Sequence, residues 1–540
     1  MDSVKNKNAL DSFLLGKKFH VAIILLGVVF LSLNAFHSNV WFDESYSVAI
    51  ANHDFGEIWY IGSGDVHPVL YYWCLHVLNL VFGQNLVVYR LFTLLGIVAC
   101  AFLGYFCIRK DFGAKIGVLF TFFVLIMPYV TIMATEIRMY AWVFFTVFSC
   151  AIFAFRIAKG LSNKTVVPIR WWVFFFASSL ASAYLHYFGV LAAFVIQLLL
   201  LIFFIKNARE QLKPFLIFLG QAVIQVVVYL PWLYELLNQV GVISESYWAS
   251  ITLETIFNMF TYLVATDNLC FSWWGEYGSL FQMLMIVFLC LFIVLFVLAF
   301  VALRRRKKRA QSASSVSKNT LSKDKFGERS DVFAAWLAFG VYAGVIVLAL
   351  IVSVAMHSYI LYYRYAFVSS SLLIFSIAVL ITRMSLRRFT YALCTLSLAV
   401  SLANVVVLLE DNYSSQNDLA LDYFESIAKD IPVVSSDIGI EGVTSVTYPQ
   451  VKQTYLDWQA GNWERSYLAY SPTLTSVYSW DQALGDYHGK FIVLGQSAHG
   501  EEPNDLKDLL NKDGISMVEF KEYYRPYERT YFTVALLVKA

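Results

Sequence analysis

The chain of 540 residues is 59% hydrophobic and only 14% charged. Soluble proteins carry about 25% charged residues, so this composition excludes an ordinary soluble domain. The formal net charge of +2 is uninformative because basic and acidic residues are segregated along the chain, and we expect no nucleic-acid partner. Apolar stretches near 20 residues, each long enough to cross a bilayer, recur from Val21 to Leu409. The composition therefore predicts a polytopic α-helical membrane protein.

The N-terminal residues 1–19 contain lysines before the first apolar run, which extends over about His20–Phe36. The positive-inside rule places these lysines in the cytoplasm. No small-residue cleavage pattern follows the run, so we interpret it as a retained signal anchor. It is then expected to deliver the adjacent pair Asp43 and Glu44 to the outer side of the membrane.

The apolar run Val66–Phe82 is ambiguous, because His67 and Pro68 open it and His76 interrupts it. If the run does not span, the later clusters of lysine and arginine all fall on the cytoplasmic side. If it spans, they all move outside, against the positive-inside rule. We therefore predict a helix that lies in the outer interface.

The sequence predicts eleven spans in total, with the N-terminus inside and the C-terminus outside. One of them, Trp171–Leu185, is short for a span. The predicted spans are about His20–Phe36, Leu86–Ile108, Lys115–Ala134, Tyr140–Ala158, Trp171–Leu185, Tyr187–Ile205, Pro214–Leu233, Ser279–Leu303, Val332–Met356, Tyr362–Thr382 and Phe389–Leu409.

Three segments lie outside this pattern. Residues 304–330 are basic and then rich in Ser, Lys and Asn, which predicts a flexible cytoplasmic loop within the membrane domain 20–410. The outer stretch 233–279 contains Trp273 and Trp274 and fits an interfacial helix. From residue 411 to 540, acids outnumber bases and short strand and helix patterns alternate. This last segment is predicted to be a small extracytoplasmic α/β domain.

Chemically active side chains are concentrated at the predicted outer ends of the helices. Ionisable groups are costly there and therefore point to a site. The residues concerned are Asp43, Glu44, Asp65, His67, Arg90, Glu136, Arg138, His186, Tyr187, His357 and Arg364.

Carboxylates, histidines and arginines on one face suit transfer from a lipid-linked phosphate. The planar fork of donors on an arginine grips phosphate, which fits Arg138, Arg364 and Arg90. A carboxylate beside the sugar would act as general base on an acceptor hydroxyl. Each feature also has a structural explanation. Asp43 and Glu44 would complement a helix dipole, and Glu136 with Arg138 would form a salt bridge.

The order of the motifs resembles the GT-C membrane glycosyltransferases of the family 39-like group, which includes protein mannosyltransferases and lipid A aminoarabinose transferases. The resemblance covers roughly residues 20–410. It is carried by Phe42–Glu44, Asp65–Tyr72 (with Val69 in place of a second proline), Tyr89–Phe92, Glu136–Tyr140, His186–Phe188, Pro231–Leu233 and Arg364–Tyr365.

The resemblance implies a GT-C fold and an inverting transferase that uses a polyprenyl-phosphate sugar on the outer face of the membrane. Asp43 would be the general base, with Glu44 and Glu136 as the other catalytic candidates. Arg364 would contact the donor phosphate. The candidates for binding phosphate or substrate are Arg138, Arg364, Arg90, His67, Tyr140, His186, Tyr187 and Tyr365.

Metal dependence stays open at the level of sequence. Asp43, Glu44, His67 and Glu136 carry the oxygen and nitrogen ligands that divalent cations take. Arginines alone are able to stabilise a polyprenyl monophosphate leaving group, so we expect no obligatory cofactor, and Glu44 and His67 are the candidate ligands.

Two other functions compete with this one. A glycan polymerase or ligase acting on a diphosphate-linked oligosaccharide also uses outer arginines, but does not require the acidic pair. A transporter or flippase of a lipid-linked sugar would show internal repeats and midplane breaks. The sequence names neither the sugar nor the acceptor, which is a glycan, lipid or protein. The expected location is the plasma membrane, and the low use of cysteine suggests a bacterium.

Overall fold

A computed structural model describes residues 12–207, 211–246, 323–357, 360–384, 387–457 and 463–540, with isolated positions between 283 and 301. Within these ranges, eight helices are long and apolar enough to cross a membrane. The chain is therefore a multi-pass membrane protein. The predicted span 279–303, the pair Trp273–Trp274, the run 304–309 and most of the predicted loop that follows lie outside the described residues.

The membrane domain consists of helices joined mostly by short connections. A π-helical turn, Gly104–Ile108, and a last turn, Arg109–Phe112, prolong α5. The helices are α1 Lys17–Ser32, α2 Phe42–Ile50, α3 Phe55–Gly62, α4 Leu70–Phe82, α5 Leu86–Leu103, α6 Ala114–Ile126, α7 Pro128–Met133, α8 Tyr140–Ser162, α9 Ile169–Leu185, α10 Tyr187–Asn207, α11 Leu212–Ser246, α12 Lys323–Ala355, α13 Phe367–Met384 and α14 Arg387–Asn412.

The predicted continuous span Lys115–Ala134 is broken in two. Met127 adopts an extended conformation (ψ 135°), so α6 ends before it and α7 begins at Pro128. A residue that precedes proline is sterically excluded from the α region, and proline suits the first position of a helix. This break brings the chain through the compact α7 to the polar residues 135–138.

Two other predicted boundaries shift. The helix in Val66–Phe82 is only α4, whose 13 residues are about 20 Å long and fall short of the hydrocarbon thickness of about 30 Å. This length agrees with a helix that does not span. At the other end, α12 begins at Lys323, inside the stretch predicted as a flexible loop, because the polar residues there extend the apolar helix by further turns.

Helix α8 lies at the centre of the membrane domain and packs against α5, α9, α10 and α13. The contact with α5 is close, because a Cβ on Gly96 would lie only 2.6 Å from the backbone of Ala141. The polar residues 136–138 immediately precede α8, so the packing of this helix fixes their position relative to α5 and α13.

Each end of α13 carries an arginine, and the two were predicted to lie on opposite sides of the membrane. Arg364 lies in the 3₁₀ turn before the helix, and Arg383 lies in its last turn, where it pairs with Asp331 of α12. Twenty helical residues between them span about 30 Å. The predicted cytoplasmic arginine therefore lies at the opposite end of the helix from the predicted outer one.

The C-terminal segment forms a six-stranded sheet with helices. Its strands are β1 Val433–Ser435, β2 Gln453–Leu456, β3 Leu474–Val477, β4 Gly489–Ser497, β5 Ile515–Arg525 and β6 Thr530–Lys539. Its helices are α15 Gln416–Ile427, α16 Ile438–Thr447, α17 Glu464–Tyr467, α18 Trp480–Leu484 and α19 Asn504–Leu510. The strand order is β3-β2-β1-β4-β6-β5, in which β1 to β4 are parallel and β6 pairs antiparallel with β4 and β5.

The sheet domain is packed against the membrane domain rather than merely tethered to α14. Ile440 and Val443 of α16 belong to the same buried apolar cluster as Val48 of α2 and Tyr72 of α4. The polar ends of α2 and α4 therefore lie beneath this domain.

Candidate active site

Five connections bring the predicted site residues together. They are the start of α2, the turn before α4, the turn before α8, the break between α9 and α10, and the 3₁₀ turn before α13. The turn before α8 is tight, since Arg138 N–H donates to Glu136 O at 2.6 Å. The break before α10 is made by His186, whose backbone is extended (φ −161°, ψ 144°).

Asp43 is the point at which two of the three predicted phosphate-binding arginines meet. Its Oδ2 lies 3.1 Å from Arg364 Nη2 and 4.0 Å from Arg138 Nε. The Asp43 side chain is 18% exposed and that of Arg364 is 15% exposed, so both are reachable from an opening. Acidic residues in the first turn of α2 also complement the helix dipole, which helps to place this carboxylate.

Arg364 is held by charge and by aromatic faces. Its guanidinium carbon lies 5.1 Å from the ring centre of Trp41 and 4.8 Å from that of Tyr362. Its Nη1 approaches Glu136 Oε1 at 3.8 Å. Within the described part of the chain, Arg364 Nε has no hydrogen-bond partner. The Arg364 guanidinium therefore has an N–H that is available to an anionic ligand.

Glu136 is buried beside Arg364, and its Oε1 accepts no hydrogen bond from any described residue. Burial raises the pKa of Glu136 to about 8, opposed by Arg364 and reinforced by the charges of Glu44 and Asp43. At neutral pH the side chain is therefore mostly a neutral carboxylic acid that is able to donate a proton or a hydrogen bond.

Arg138 connects the start of α2 with the turn before α4. Nη1 donates to Asp43 O (3.3 Å), Ser47 Oγ (3.4 Å) and Tyr72 Oη (3.3 Å), and Nη2 lies 3.3 Å from His67 Nδ1. The guanidinium is almost fully buried, so these contacts satisfy a charge that is removed from water.

His67 is paired with Asp65, whose Oδ2 lies 3.4 Å from His67 Nδ1. Burial lowers the pKa of His67, as does the charge of Arg138, against the opposing effect of Asp65. Burial alone would raise the pKa of Asp65, but the hydrogen bond from His67 and the charge of Arg138 lower it overall. The pair is therefore an aspartate and a neutral imidazole at neutral pH.

His186 adds a buried hydrogen-bond donor. Phe188 N–H donates to His186 Nδ1 at 3.1 Å, which places the proton of the neutral ring on Nε2. Nε2 has no partner among the residues described. Burial lowers the pKa of His186 well below its ordinary value, helped by the positive charges of Arg138 and Arg364. Its ring lies 5.5 Å from His67, 5.6 Å from Tyr140 and 4.9 Å from Tyr365, centre to centre.

Glu44 follows Asp43 in the sequence, but its carboxylate is held by other partners. Its side chain is 1% exposed, and Oε1 accepts the Ile137 N–H at 2.9 Å. Oε2 accepts a hydrogen bond from Tyr527 and lies 3.7 Å from Arg90 Nη2. With both oxygens occupied, Glu44 fits a supporting role better than that of a reacting carboxylate.

Arg90, predicted as a phosphate contact, is engaged by backbone carbonyls and by Glu44. The side chain is fully buried, and its guanidinium donates to the carbonyl oxygens of His37 and Asn39 while it pairs with Glu44. Its Nε has no partner in the described ranges, but no side of the group is open to a ligand. These contacts fit a structural role better than a contact with phosphate.

Tyr187, predicted as a substrate-binding residue, contacts a different part of the membrane domain. Its hydroxyl donates to Gln239 of α11, and Gln239 in turn donates to Ser63 O at 3.1 Å. These contacts tie α10 and α11 to the end of α3 rather than to the arginines. Tyr140 and Tyr365, the other tyrosines predicted to bind substrate, lie against the His186 ring. His357 comes directly before two residues that are not described.

The predicted metal ligands are engaged elsewhere. Glu44 is occupied by Ile137, Tyr527 and Arg90, and His67 faces Asp65 and Arg138. No group of three or more His, Cys, Asp or Glu side chains in the described ranges is arranged to hold a metal ion. The donor set around Asp43 thus combines carboxylates with guanidinium groups, a mixture that suits an anion better than a cation.

No protein-family model matches the chain, and no curated protein matches it. In structure the chain is similar to ArnT from Cupriavidus metallidurans in the apo state, with a TM-score of 0.50, 14% sequence identity and coverage of 98% of both chains. ArnT from the same organism bound to undecaprenyl phosphate gives a TM-score of 0.48 at 15% identity, over 96% of this chain and 97% of that one. The first of these similarities confirms the predicted fold class, a GT-C membrane fold with a C-terminal sheet domain.

Proposed function

We propose that this protein transfers a sugar from a polyprenyl-phosphate donor to an acceptor hydroxyl at the outer face of the membrane, with inversion at the anomeric carbon. The observation that carries the proposal is the position of Asp43, 3.1 Å from Arg364 and 4.0 Å from Arg138. One carboxylate thus stands beside two cationic forks, at a partly exposed position in a polytopic membrane domain.

In the proposed reaction, Asp43 accepts the proton of the acceptor hydroxyl while its oxygen attacks the anomeric carbon. The bond from that carbon to the phosphate oxygen breaks, and its electron pair leaves with the polyprenyl phosphate. Arg364 and Arg138 stabilise the negative charge that develops on the phosphate, as guanidinium forks do in other phosphate sites. A single displacement, in which the acceptor oxygen attacks from the side opposite the leaving phosphate, inverts the configuration.

Two neutral donors complete the proposed site. Glu136 keeps its proton near neutral pH and lies against Arg364, so it is placed to donate a hydrogen bond to a phosphate oxygen. His186 offers its Nε2–H between His67 and Tyr365. No step of the proposal uses a divalent cation, since two guanidinium groups meet the charge of a monophosphate.

The test is transfer by the purified full-length protein from a panel of polyprenyl-phosphate sugars, with diphosphate-linked oligosaccharides as a parallel series. Asp43→Asn should lower transfer by about 100-fold or more while the protein is still expressed, since general bases contribute 10²- to 10⁴-fold. Asp422→Asn, an exposed position on α15, is the matched control and should behave as wild type.

Full activity of the Asp43→Asn variant would overturn the assignment of the base. Transfer only from the diphosphate-linked series would identify a polymerase or ligase instead. Movement of an intact lipid-linked sugar across vesicles, without hydrolysis or transfer, would identify a transporter.

A further inference from the structure

The sheet domain inserts one tight turn into the floor of the candidate site. This turn connects β5 with β6 and consists of Arg525, Pro526, Tyr527, Glu528 and Arg529; it is called the 525–529 turn below. It is the part of the C-terminal domain that reaches the acidic residues at the start of α2.

The 525–529 turn is fixed at both ends. The Arg525 side chain is buried and donates to Asn417 O (3.1 Å), Val40 O (3.4 Å) and Asn39 Oδ1 (3.3 Å). The Tyr527 N–H donates to Asn417 Oδ1 at 2.9 Å. With Glu528 as a further partner, the buried Arg525 guanidinium meets four acceptors and tolerates little displacement, so the backbone at Tyr527 is held in place.

Tyr527 then links the sheet domain to two parts of the site at once. Its hydroxyl donates to one oxygen of Glu44, and the other oxygen accepts the N–H of Ile137. Ile137 lies between Glu136 and Arg138, and Glu44 follows Asp43. The chain Tyr527–Glu44–Ile137 therefore connects the base-bearing helix α2 with the turn before α8.

This link affects the distance between Asp43 and Arg138. Asp43 and Arg138 come from the two segments that Glu44 joins, and they meet at only 4.0 Å. Rotation of the Glu44 side chain would release the Ile137 N–H and with it the turn that carries Glu136 and Arg138. Hydrogen bonds to a carboxylate are stronger than those between neutral groups, so the bond from the Tyr527 hydroxyl opposes rotation of the Glu44 side chain.

A second contact brings the sheet domain to the same helix. Tyr470 Oη lies 3.1 Å from Ser45 Oγ on α2. Helix α16 comes close enough there that a Cβ on Gly442 would lie 2.9 Å from Ser45 Oγ and 2.7 Å from Tyr470 Oη. Two independent points of the sheet domain thus touch consecutive residues, Glu44 and Ser45, directly after Asp43.

We propose that Tyr527 of the sheet domain is a positioning residue of the transferase site, acting through Glu44 on the relative placement of Asp43 and the Glu136–Arg138 turn. This inference rests on the proposed function, and it gives the C-terminal domain a defined part in it. Burial, together with the charge of Glu44, raises the pKa of Tyr527 well above its usual range, so the phenol remains a donor throughout the working pH range.

The test compares Tyr527→Phe with Tyr524→Phe in the full-length protein. Tyr527→Phe keeps the ring, which lies 5.0 Å from His37, and removes only the hydroxyl. Tyr524 stands on the same hairpin with an exposed ring that contacts Tyr531, so Tyr524→Phe is the matched control. We expect Tyr527→Phe to lower kcat about tenfold, equal to about 1.4 kcal/mol, with the KM for the donor within about twofold of wild type.

A double-mutant cycle checks the route through Glu44. In a Glu44→Gln background, Tyr527→Phe should cost clearly less than the same change costs in wild type, because the two side chains share one interaction. Equal losses in both backgrounds would overturn the route through Glu44 and so the proposal.

The remaining outcomes separate this proposal from the proposed function. If wild type transfers sugar and Asp43→Asn does not, but Tyr527→Phe matches Tyr524→Phe in kcat, only the positioning role is overturned. A fall in kcat matched by an equal rise in KM and a lower Tm would show general loss of structure and would overturn it as well. A wild-type protein that is inactive on the whole panel would remove the proposed function, and this inference with it.

Discussion

Glu136 provides a pH test of how tightly the candidate site is enclosed. Its pKa is raised from 4.5 to about 8, mainly by burial. Between these two values the unfolded chain has lost this proton while the folded chain keeps it. The free energy of unfolding therefore falls as the pH rises, by about 1.4 kcal/mol per pH unit and by about 5 kcal/mol over the whole interval. Above pH 8 the contribution is constant.

Glu136→Gln removes this titration, so the variant should gain stability relative to wild type as the pH rises. Thermal unfolding of the purified protein in detergent from about pH 5 to about pH 9 measures the difference in Tm. The difference should grow up to about pH 8 and then level off. Glu425→Gln, at an exposed position on α15, is the control and should give a difference independent of pH. A flat difference for Glu136→Gln would refute the burial argument.

Three further predictions concern the arginines and metal ions. Arg364→Ala should raise the KM for the donor about tenfold or more, and Arg364→Lys should recover only part of this loss because lysine lacks the fork; an unchanged KM would argue against the phosphate contact. Arg90→Leu should lower the stability of the fold by about 3–5 kcal/mol, seen as a lower Tm and a smaller yield in detergent, because Glu44 loses its charge partner; a wild-type Tm would contradict this structural role. Treatment with EDTA should leave transfer unchanged, and activity lost to EDTA and restored by a divalent cation would show that a metal is needed.

The helices of the membrane domain were accessible to sequence reasoning because length and apolar composition suffice to identify a span. The break at Met127 is indicated in the sequence by Pro128, which follows it, but a search for apolar stretches alone does not detect it. In the sheet domain, the alternation of short strand and helix patterns predicts the α/β class. It does not predict the strand order, which depends on contacts between distant segments.

The candidate site was likewise only partly predictable from the sequence. The topology predicts that Asp43 and Arg364 lie on the same face, because both are expected at the outer ends of helices, but it does not predict their ion pair. The different surroundings of Arg90 and Arg138 could not be predicted, since the sequence indicates only that both are cations at the outer face. Only the fold shows that the carbonyls of His37 and Asn39 surround one of them. Tyr527 gave no usable signal, because nothing near it in the sequence indicates a partner as remote as Glu44.

The hydrogen bond between Tyr527 and Glu44 joins residues 483 positions apart, almost the two ends of the chain. At a synthesis rate of about 5–20 residues per second, roughly half a minute to a minute and a half passes between the making of the two residues. Until Tyr527 is made, only Arg90 and the Ile137 N–H are available as partners of Glu44. The surroundings of the acidic pair are thus completed long after the pair itself is made. A chain that stops short of the final hairpin would hold every membrane helix and still lack the finished site.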